Sequence, residues 1–354
     1  MIWRDLAVLT VSSILLGVAS MEHTEDNDFL KKDNCGRRHL RNTVTERIVN
    51  GTMADPASWP WMVGLYNGND TFYCGGVLIS NQFALTAAHC FRNQNAIFVS
   101  VRMGSVNRIN YADCSGETTG PLTEEGSDEL DGNAAPNSHV VCVGVEQVCV
   151  PIQNCSFFMG DIALLKLKRP VNFTNHIQPI CIRENLDMPS SSVPIFILGW
   201  GFYYDTQVID YSRYEDMEET ESSSSELVVS VISGIPLTLR QRNITLINKT
   251  SCQKQLQRIV PDYVMCSTGG GCHGDSGGPL VYENNGTWFL LGIHSGGDQD
   301  CYNPKGPGLH INVSYYVSTL IKPFMKLGNN TEGGKHVCAT YEDHIQYVEQ
   351  LYAS

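Results

Sequence analysis

The chain has 354 residues, enough to bury a sizeable core in about two or three domains at most. Its 24 basic and 37 acidic residues give a net charge of −13, which argues against nucleic acid as a partner and leaves no basic stripe for a membrane surface. Thirteen cysteines, with Asn-x-Ser/Thr sequons at Asn50, Asn69, Asn154, Asn172, Asn243, Asn248, Asn285, Asn312 and Asn329, argue against a reducing, unglycosylated compartment.

Residues 1–20, MIWRDLAVLTVSSILLGVAS, join a short charged start to an apolar run that ends in small residues, and read as a secretory signal. Asp5, Ser12, Ser13 and the shortness of the run argue against a membrane anchor, and no later stretch is long enough to span a bilayer. Residues 21–47 are polar and charged and read as an unpacked propeptide.

From IVNG at 48–51 the chain becomes rich in short β-type runs: WPWMVGLY, GGVLIS, FALTA, IFVSVRM, IALLKLK and FLLGI, separated by Gly, Asn and Pro turns. Repeated short strands predict an all-β barrel or sandwich. Helix is expected only over Tyr315–Leu327 and in the tail around Tyr341–Leu351. Two acidic stretches interrupt the pattern. Residues 116–131 carry six acids and no base, and residues 205–226 carry eight acids against Arg213 alone; both read as solvated loops.

The sequence GDSGG at 274–278 fits G-x-S-x-G, the serine elbow of α/β-hydrolases, but that elbow needs a helix directly after the serine. Here Gly277, Gly278 and Pro279 oppose one, and LVYENNGTWFLLGI reads as a hairpin turned at Asn285-Gly286. A serine hydroxyl on a loop needs a base, and the base needs an orienting carboxylate. LTAAHC at 85–90 offers His89 and GDIALLKL at 160–167 offers Asp161, in the chain order His, Asp, Ser.

These stretches, with RIVNG at 47–51, CGGVLIS at 74–80, GWG at 199–201, GDSGGP at 274–279 and GIHSGG at 292–297, resemble the trypsin and chymotrypsin family of secreted serine proteases over residues 47–328. The resemblance implies two packed antiparallel six-stranded β-barrels with a cleft between them, a C-terminal helix, a protease domain at 48–328 and an extension at 329–354. It implies that Ser276 attacks the scissile carbonyl, that His89 moves the proton and that Asp161 fixes the imidazole tautomer. The amides of Gly274 and Ser276 become the oxyanion hole, each donor worth about 3 kcal/mol. Asp275 is expected to pair with the α-ammonium of Ile48, freed by cleavage after Arg47, so the chain is read as a zymogen.

The same resemblance pairs Cys74 with Cys90, Cys252 with Cys266, Cys272 with Cys301, and Cys35 with Cys181, the last tethering the propeptide. A further family bridge falls at Ile195 and Tyr282, where both cysteines are missing. Cys114, Cys142, Cys149, Cys155 and Cys338 are left, with pairing open.

By the same resemblance, Gly270 falls at the expected base of the specificity pocket, where a carboxylate would select Lys or Arg, and the Cys266–Cys272 segment is shorter than the family's usual wall. Ser295 is the serine expected to contact the buried triad carboxylate. With Gly297 and Gly308 on the walls, an open pocket for a large apolar or aromatic side chain is expected, with Asp298 or Asp300 in reach. Gly296 replaces the usual tryptophan beside the cleft. An insertion over about residues 110–159 is expected to border the cleft.

No cofactor and no metal is expected, Ser105 replacing the acid that would open a calcium loop. His273, His294 and His310 near the site read as structural or solvent-facing. The expected partners are protein or peptide substrates, an activating protease and protein inhibitors. The alternatives are a protease-fold scaffold without turnover, because Gly296 and the short wall weaken peptide seating, and a non-protease esterase.

Overall fold

The computed structural model describes residues 35–38, 51–92, 94–110, 114, 139–151, 160–185, 188–210, 227–297, 306–327 and 338. Among the described residues, sixteen strands run in chain order as β1 (Thr52–Met53), β2 (Met62–Tyr66), β3 (Phe72–Leu78), β4 (Phe83–Thr86), β5 (Ser100–Met103), β6 (Val141–Cys149), β7 (Ala163–Leu167) and β8 (Cys181–Ile182). They continue as β9 (Ile195–Gly199), β10 (Tyr203–Asp210), β11 (Leu227–Gly234), β12 (Arg240–Ile247), β13 (Val264–Thr268), β14 (Pro279–Asn284), β15 (Thr287–Gly296) and β16 (Gly308–Asn312).

Six of them close a first antiparallel barrel in the order β2-β3-β4-β7-β6-β5. A second six-stranded barrel follows the order β12-β13-β16-β15-β14-β9 and closes by pairing β9 with β12. β1 extends it alongside β12, and β8 adds a short parallel pairing on β15. The fold is therefore the expected pair of six-stranded barrels. Closure leaves neither barrel with an open edge among its own strands.

The expected runs become strands in which consecutive residues are buried, as near-continuous apolar runs predict. In β2, Met62, Val63 and Leu65 are all buried, and in β7, Leu164, Leu165 and Leu167 are. The Asn285-Gly286 pair turns β14 into β15 with both residues at positive φ, 53° and 76°, as a two-residue hairpin of the primed type requires. Between the barrels, Trp59 packs edge-on against Trp61 and Trp288, at centroid distances of 5.9 and 4.8 Å. These tryptophans are all buried in the core.

Several expectations need correction. The stretch around residues 110–159 is not all insertion, because β6 lies inside it and supplies a wall of the first barrel through buried Val143 and Val145. The acidic stretch at 205–226 is not wholly loop, since residues 205–210 pair with residues 227–232 in the β10–β11 ribbon. The segment 21–47 is not uniformly unpacked. Cys35 is buried and bonded to Cys181, Gly36 N donates to Pro179 O at 2.8 Å, and Trp288 N donates to Gly36 O at 2.9 Å. The Arg38 guanidinium stacks 4.2 Å from the Trp59 centroid.

An unexpected helix, α1 (Lys249–Leu256), is capped by the Asn248 side chain, which accepts from Ser251 N at 2.8 Å. Near the C-terminus, a 3-10 turn (Val313–Tyr316) and a π turn (Val317–Ile321) lead into α2 (Lys322–Leu327), close to the helix expected there. Residues 1–20, 116–131 and 341–351 lie outside the described residues.

Bridges join Cys74 to Cys90 and Cys252 to Cys266, and also Cys114 to Cys142 and Cys149 to Cys338, two pairings the sequence left open. Cys272 is disulfide-bonded, while Cys301 and Cys155 lie outside the described residues. Ile195 and Tyr282, where a bridge is missing, are directly paired across β9 and β14. Their side chains are both buried, so apolar packing occupies the place of the cross-link.

Trp61 is fully buried at the junction of the barrels. Trp61→Ala is expected to lower the unfolding free energy by about 3–5 kcal/mol. Urea denaturation measures this, and a loss below about 1 kcal/mol would contradict the core described here.

Candidate active site

His89 and Asp161 are brought together by the pairing of β4 with β7. Thr86 at the end of β4 lies opposite Ala163 at the start of β7, so the residues just beyond, His89 on a 3-10 turn and Asp161, meet at one rim of the first barrel. Asp161 Oδ2 lies 2.7 Å from His89 Nδ1, and Asp161 Oδ1 accepts from His89 N at 2.8 Å. Ser295, on β15 of the second barrel, donates its hydroxyl to Asp161 Oδ2 at 2.5 Å.

A carboxylate cannot donate, so the His89 Nδ1 contact requires a proton on Nδ1, which leaves Nε2 bare in the neutral ring. Burial disfavours the charge on Asp161, but the charge of His89 and the hydrogen bonds from His89 and Ser295 outweigh it and hold the carboxyl below its usual range. Burial likewise opposes the His89 imidazolium, yet the Asp161 charge and hydrogen bond leave its pKa raised. The ring is a base stronger than a free imidazole, backed by a carboxylate that stays ionised.

Ser276 arrives from the other barrel, on the loop that precedes β14. Its carbonyl accepts from Gly75 N on β3 at 2.9 Å. Gly75 O in turn accepts from the Thr86 hydroxyl at 2.7 Å, and the neighbouring Cys74 is bridged to Cys90, next to His89. The same few residues of the first barrel therefore hold both the histidine turn and the serine loop. Gly277 makes this approach feasible, because a Cβ there would lie 2.1 Å from Thr86 Oγ1 and 2.3 Å from Gly75 O. Among the described residues no hydrogen bond joins Ser276 Oγ to His89 Nε2. Such contacts are often long until substrate binds.

Gly274 has φ +97°, a conformation that favours glycine. Neither its amide nor that of Ser276 donates to another described residue, so two N–H groups flanking the serine remain unspent.

The Asp275 carboxylate is held by backbone of the second barrel. Its Oδ1 accepts from Gly201 N and its Oδ2 from Cys272 N, each at 2.7 Å. A Cβ at Gly199 would fall 2.0 Å from Oδ1, and one at Gly201 would fall 2.3 Å from the carboxyl carbon, which accounts for both glycines of GWG. Burial pushes the Asp275 carboxyl up, and the two amides together with the charges of Arg242 and Arg240 only partly offset this. Arg47 and Ile48 lie outside the described residues.

Gly270, Gly297 and Gly308 converge. A Cβ on Gly308 would lie 2.5 Å from Gly270 Cα, and one on Gly297 would lie 3.5 Å from Gly308 Cα. The ring of His294 flanks Gly270, its Cε1 3.5 Å from where a Gly270 Cβ would stand. Gly296, in contrast, faces open space with nothing within 4 Å of such a Cβ. His294 and His310 are buried, whereas His273 is exposed. Asp298 and Asp300 lie outside the described residues.

Among the described residues, Cys74, His89 and Cys90 form one group close enough to hold a metal, but its two sulfurs are joined in a disulfide. The Ser105 hydroxyl accepts from Asn107 N.

A family model described as Trypsin matches residues 48–226 and 229–320. Among curated proteins, the chain is 27% identical to Testisin of Homo sapiens over 328 residues, covering 89% of each chain. It is 31% identical to Serine protease grass of Drosophila melanogaster over 319 residues, covering 84% of this chain and 73% of that protein.

If Asp161 fixes the His89 tautomer, Asp161→Asn presents the wrong tautomer and lowers kcat about 10⁴-fold. Ser295→Ala, which leaves the other contacts to Asp161, is expected to cost about tenfold. Steady-state hydrolysis of a peptide ester measures both, and equal effects of the two substitutions would contradict this geometry.

Proposed function

The chain belongs to the trypsin family of serine proteases, and from that premise we propose that His89, Asp161 and Ser276 form the catalytic triad of a secreted endopeptidase made as a zymogen. As a member of that family it is a serine endopeptidase acting on protein substrates. The observation that carries the assignment of residues is the 2.7 Å contact of His89 Nδ1 with a buried Asp161, beside a serine loop held on Gly75.

In this reading the bare His89 Nε2 takes the Ser276 hydroxyl proton as Oγ attacks the scissile carbonyl. The new imidazolium is stabilised by Asp161, and the amides of Gly274 and Ser276 receive the oxyanion. His89 returns the proton to the leaving amine, and water then releases the acyl group by the same route.

Activation follows from Asp275. A buried carboxylate with a raised pKa is poorly compensated by two amides, and a cation would complete its environment. Cleavage after Arg47 by an activating protease frees the ammonium of Ile48. Gly51 is held by Arg240, whose side chain donates to Gly51 O at 2.8 Å. Arg240 pairs with Gly199, the glycine against which Asp275 lies. Going back from Gly51, residues 50, 49 and 48 span at most about 10 Å, which sets how far the new terminus can reach. The buried Cys35–Cys181 bridge would keep the cleaved propeptide, residues 21–47, attached to the protease domain at 48–328.

Secretion through the segment 1–20 fits the bridges in the domain, and no helix among the described residues is long and apolar enough to cross a membrane. Of the sequons, Asn69, Asn172, Asn243, Asn248 and Asn285 are exposed and suited to glycans. Asn312 is not, because it is buried with its Oδ1 accepting from both Ser314 N and Ser314 Oγ.

A fluorophosphonate probe tests the assignment: the chain cut after Arg47 should be labelled, and neither the uncut chain nor Ser276→Ala should be. Labelling that survives Ser276→Ala would refute it. The charge on Asp275 adds a thermal test. Its folded pKa lies above the unfolded value in the uncut chain, so ionisation there costs stability, and pairing with Ile48 removes that cost. Cleavage should therefore raise Tm at pH 7, and the gap should shrink as pH falls and Asp275 takes up its proton. A gap unchanged by Asp275→Asn would count against the pair.

A further inference from the structure

His294 and His310 are two buried histidines that the proposed triad does not use. They face each other in register on β15 and β16, with their Nδ1 atoms 3.3 Å apart. His310 Nε2 lies 2.8 Å from Ser267 Oγ, and Ser267 Oγ donates to Gly269 O at 2.6 Å.

The direction of each proton follows from what each group can do. Gly269 O only accepts, so the Ser267 hydroxyl proton goes there, and Ser267 Oγ must accept from His310 Nε2–H. Neutral His310 then has a bare Nδ1, and the proton between the two Nδ1 atoms belongs to His294. Neutral His294 is left with a lone pair on Nε2.

That nitrogen is not spent within the protein. Among the described residues it makes no hydrogen bond, and it lies 2.8 Å from where a Cβ on Gly271 would stand. Gly271 directly follows Gly270, the residue assigned to the pocket base. Arg242 donates to Gly270 O at 2.7 Å, so a permanent cation braces the same segment. The two buried carboxylates of the neighbourhood are engaged elsewhere, Asp161 by His89 and Ser295, and Asp275 by Gly201 N and Cys272 N.

We propose that this pocket selects an acidic side chain, Glu or Asp, at the substrate residue that precedes the scissile bond. As the carboxylate enters, His294 Nε2 takes up one proton from solvent and donates it in a hydrogen bond to the substrate oxygen. The relay through His310 and Ser267 holds the ring in place, and the Arg242 charge adds attraction.

Without ligand, burial and then the charges of His89 and Arg242 hold His294 down to about 3, and an incoming carboxylate supplies the countercharge that its protonation lacks. A Lys or Arg side chain would instead meet the like charge of Arg242. A phenyl ring would bury the Nε2 lone pair unpaired. The inference rests on the pocket assignment made under the proposed function, and its test separates the two.

Peptides differing only at that residue, as Glu, Gln, Leu, Phe or Lys, are given to the chain cleaved after Arg47, for kcat/KM. The same peptides are given to cleaved Ser276→Ala, for Kd by calorimetry. Glu should exceed Gln by about tenfold to a hundredfold in both readouts, the effect of a charge-assisted hydrogen bond. His294→Gln should bring the ratio to within about threefold, and His310→Gln should lower it partway. If these variants fail to fold, the wild-type panel still decides. Preference for Leu, Phe or Lys, or equality of Glu and Gln, overturns the proposal. Selective Glu binding without turnover would keep this inference and remove the catalytic one, and turnover without Glu preference would do the reverse.

Discussion

The arrangement depends on one buried anion. Asp161 is only 6% exposed, and an ionised carboxylate taken out of water is costly unless its lone pairs are satisfied. Its partners come from both barrels: two N–H groups of His89 from the first and the Ser295 hydroxyl from the second. Separating the barrels would take away the Ser295 bond and leave the carboxylate with His89 alone. The carboxylate oxygen that fixes the imidazole tautomer thus also bonds the second barrel, through Ser295.

Glycines let the halves come close enough for this. Gly75 and Gly277 bring the serine loop against β3, and Gly199 and Gly201 make room for Asp275. Two aspartates buried in one region are thus driven apart in acidity. Asp161 faces an imidazole and stays ionised more readily, whereas Asp275 faces mainly backbone amides and resists ionisation. The first environment suits a permanent electrostatic role. The second suits a group that awaits a cation.

Much of this was legible in the sequence, because the residues involved sit in short local patterns. The apolar runs of β2 and β7, the Asn285-Gly286 hairpin, and the histidine, aspartate and serine stretches each carry their signal within a few residues. Expectations failed where the determinant was distant or weak. β6 was hidden in a stretch whose flanks resemble an insertion, and its place in the wall depends on pairing with β5 and β7. Helix α1 is short and carries no apolar stripe, so only the Asn248 cap and buried Cys252 could have hinted at it. The His294–His310–Ser267 chain joins residues 16 and 43 positions apart, which no local reading connects.

The claim that the buried carboxylate sets the state of His89 can be read directly by nitrogen NMR of the ring in the cleaved protein. The account predicts a neutral form protonated at Nδ1 and bare at Nε2, with a transition above the usual value of 6.5, both features lost in Asp161→Asn. A neutral ring protonated at Nε2, or a transition that ignores Asp161, would contradict it.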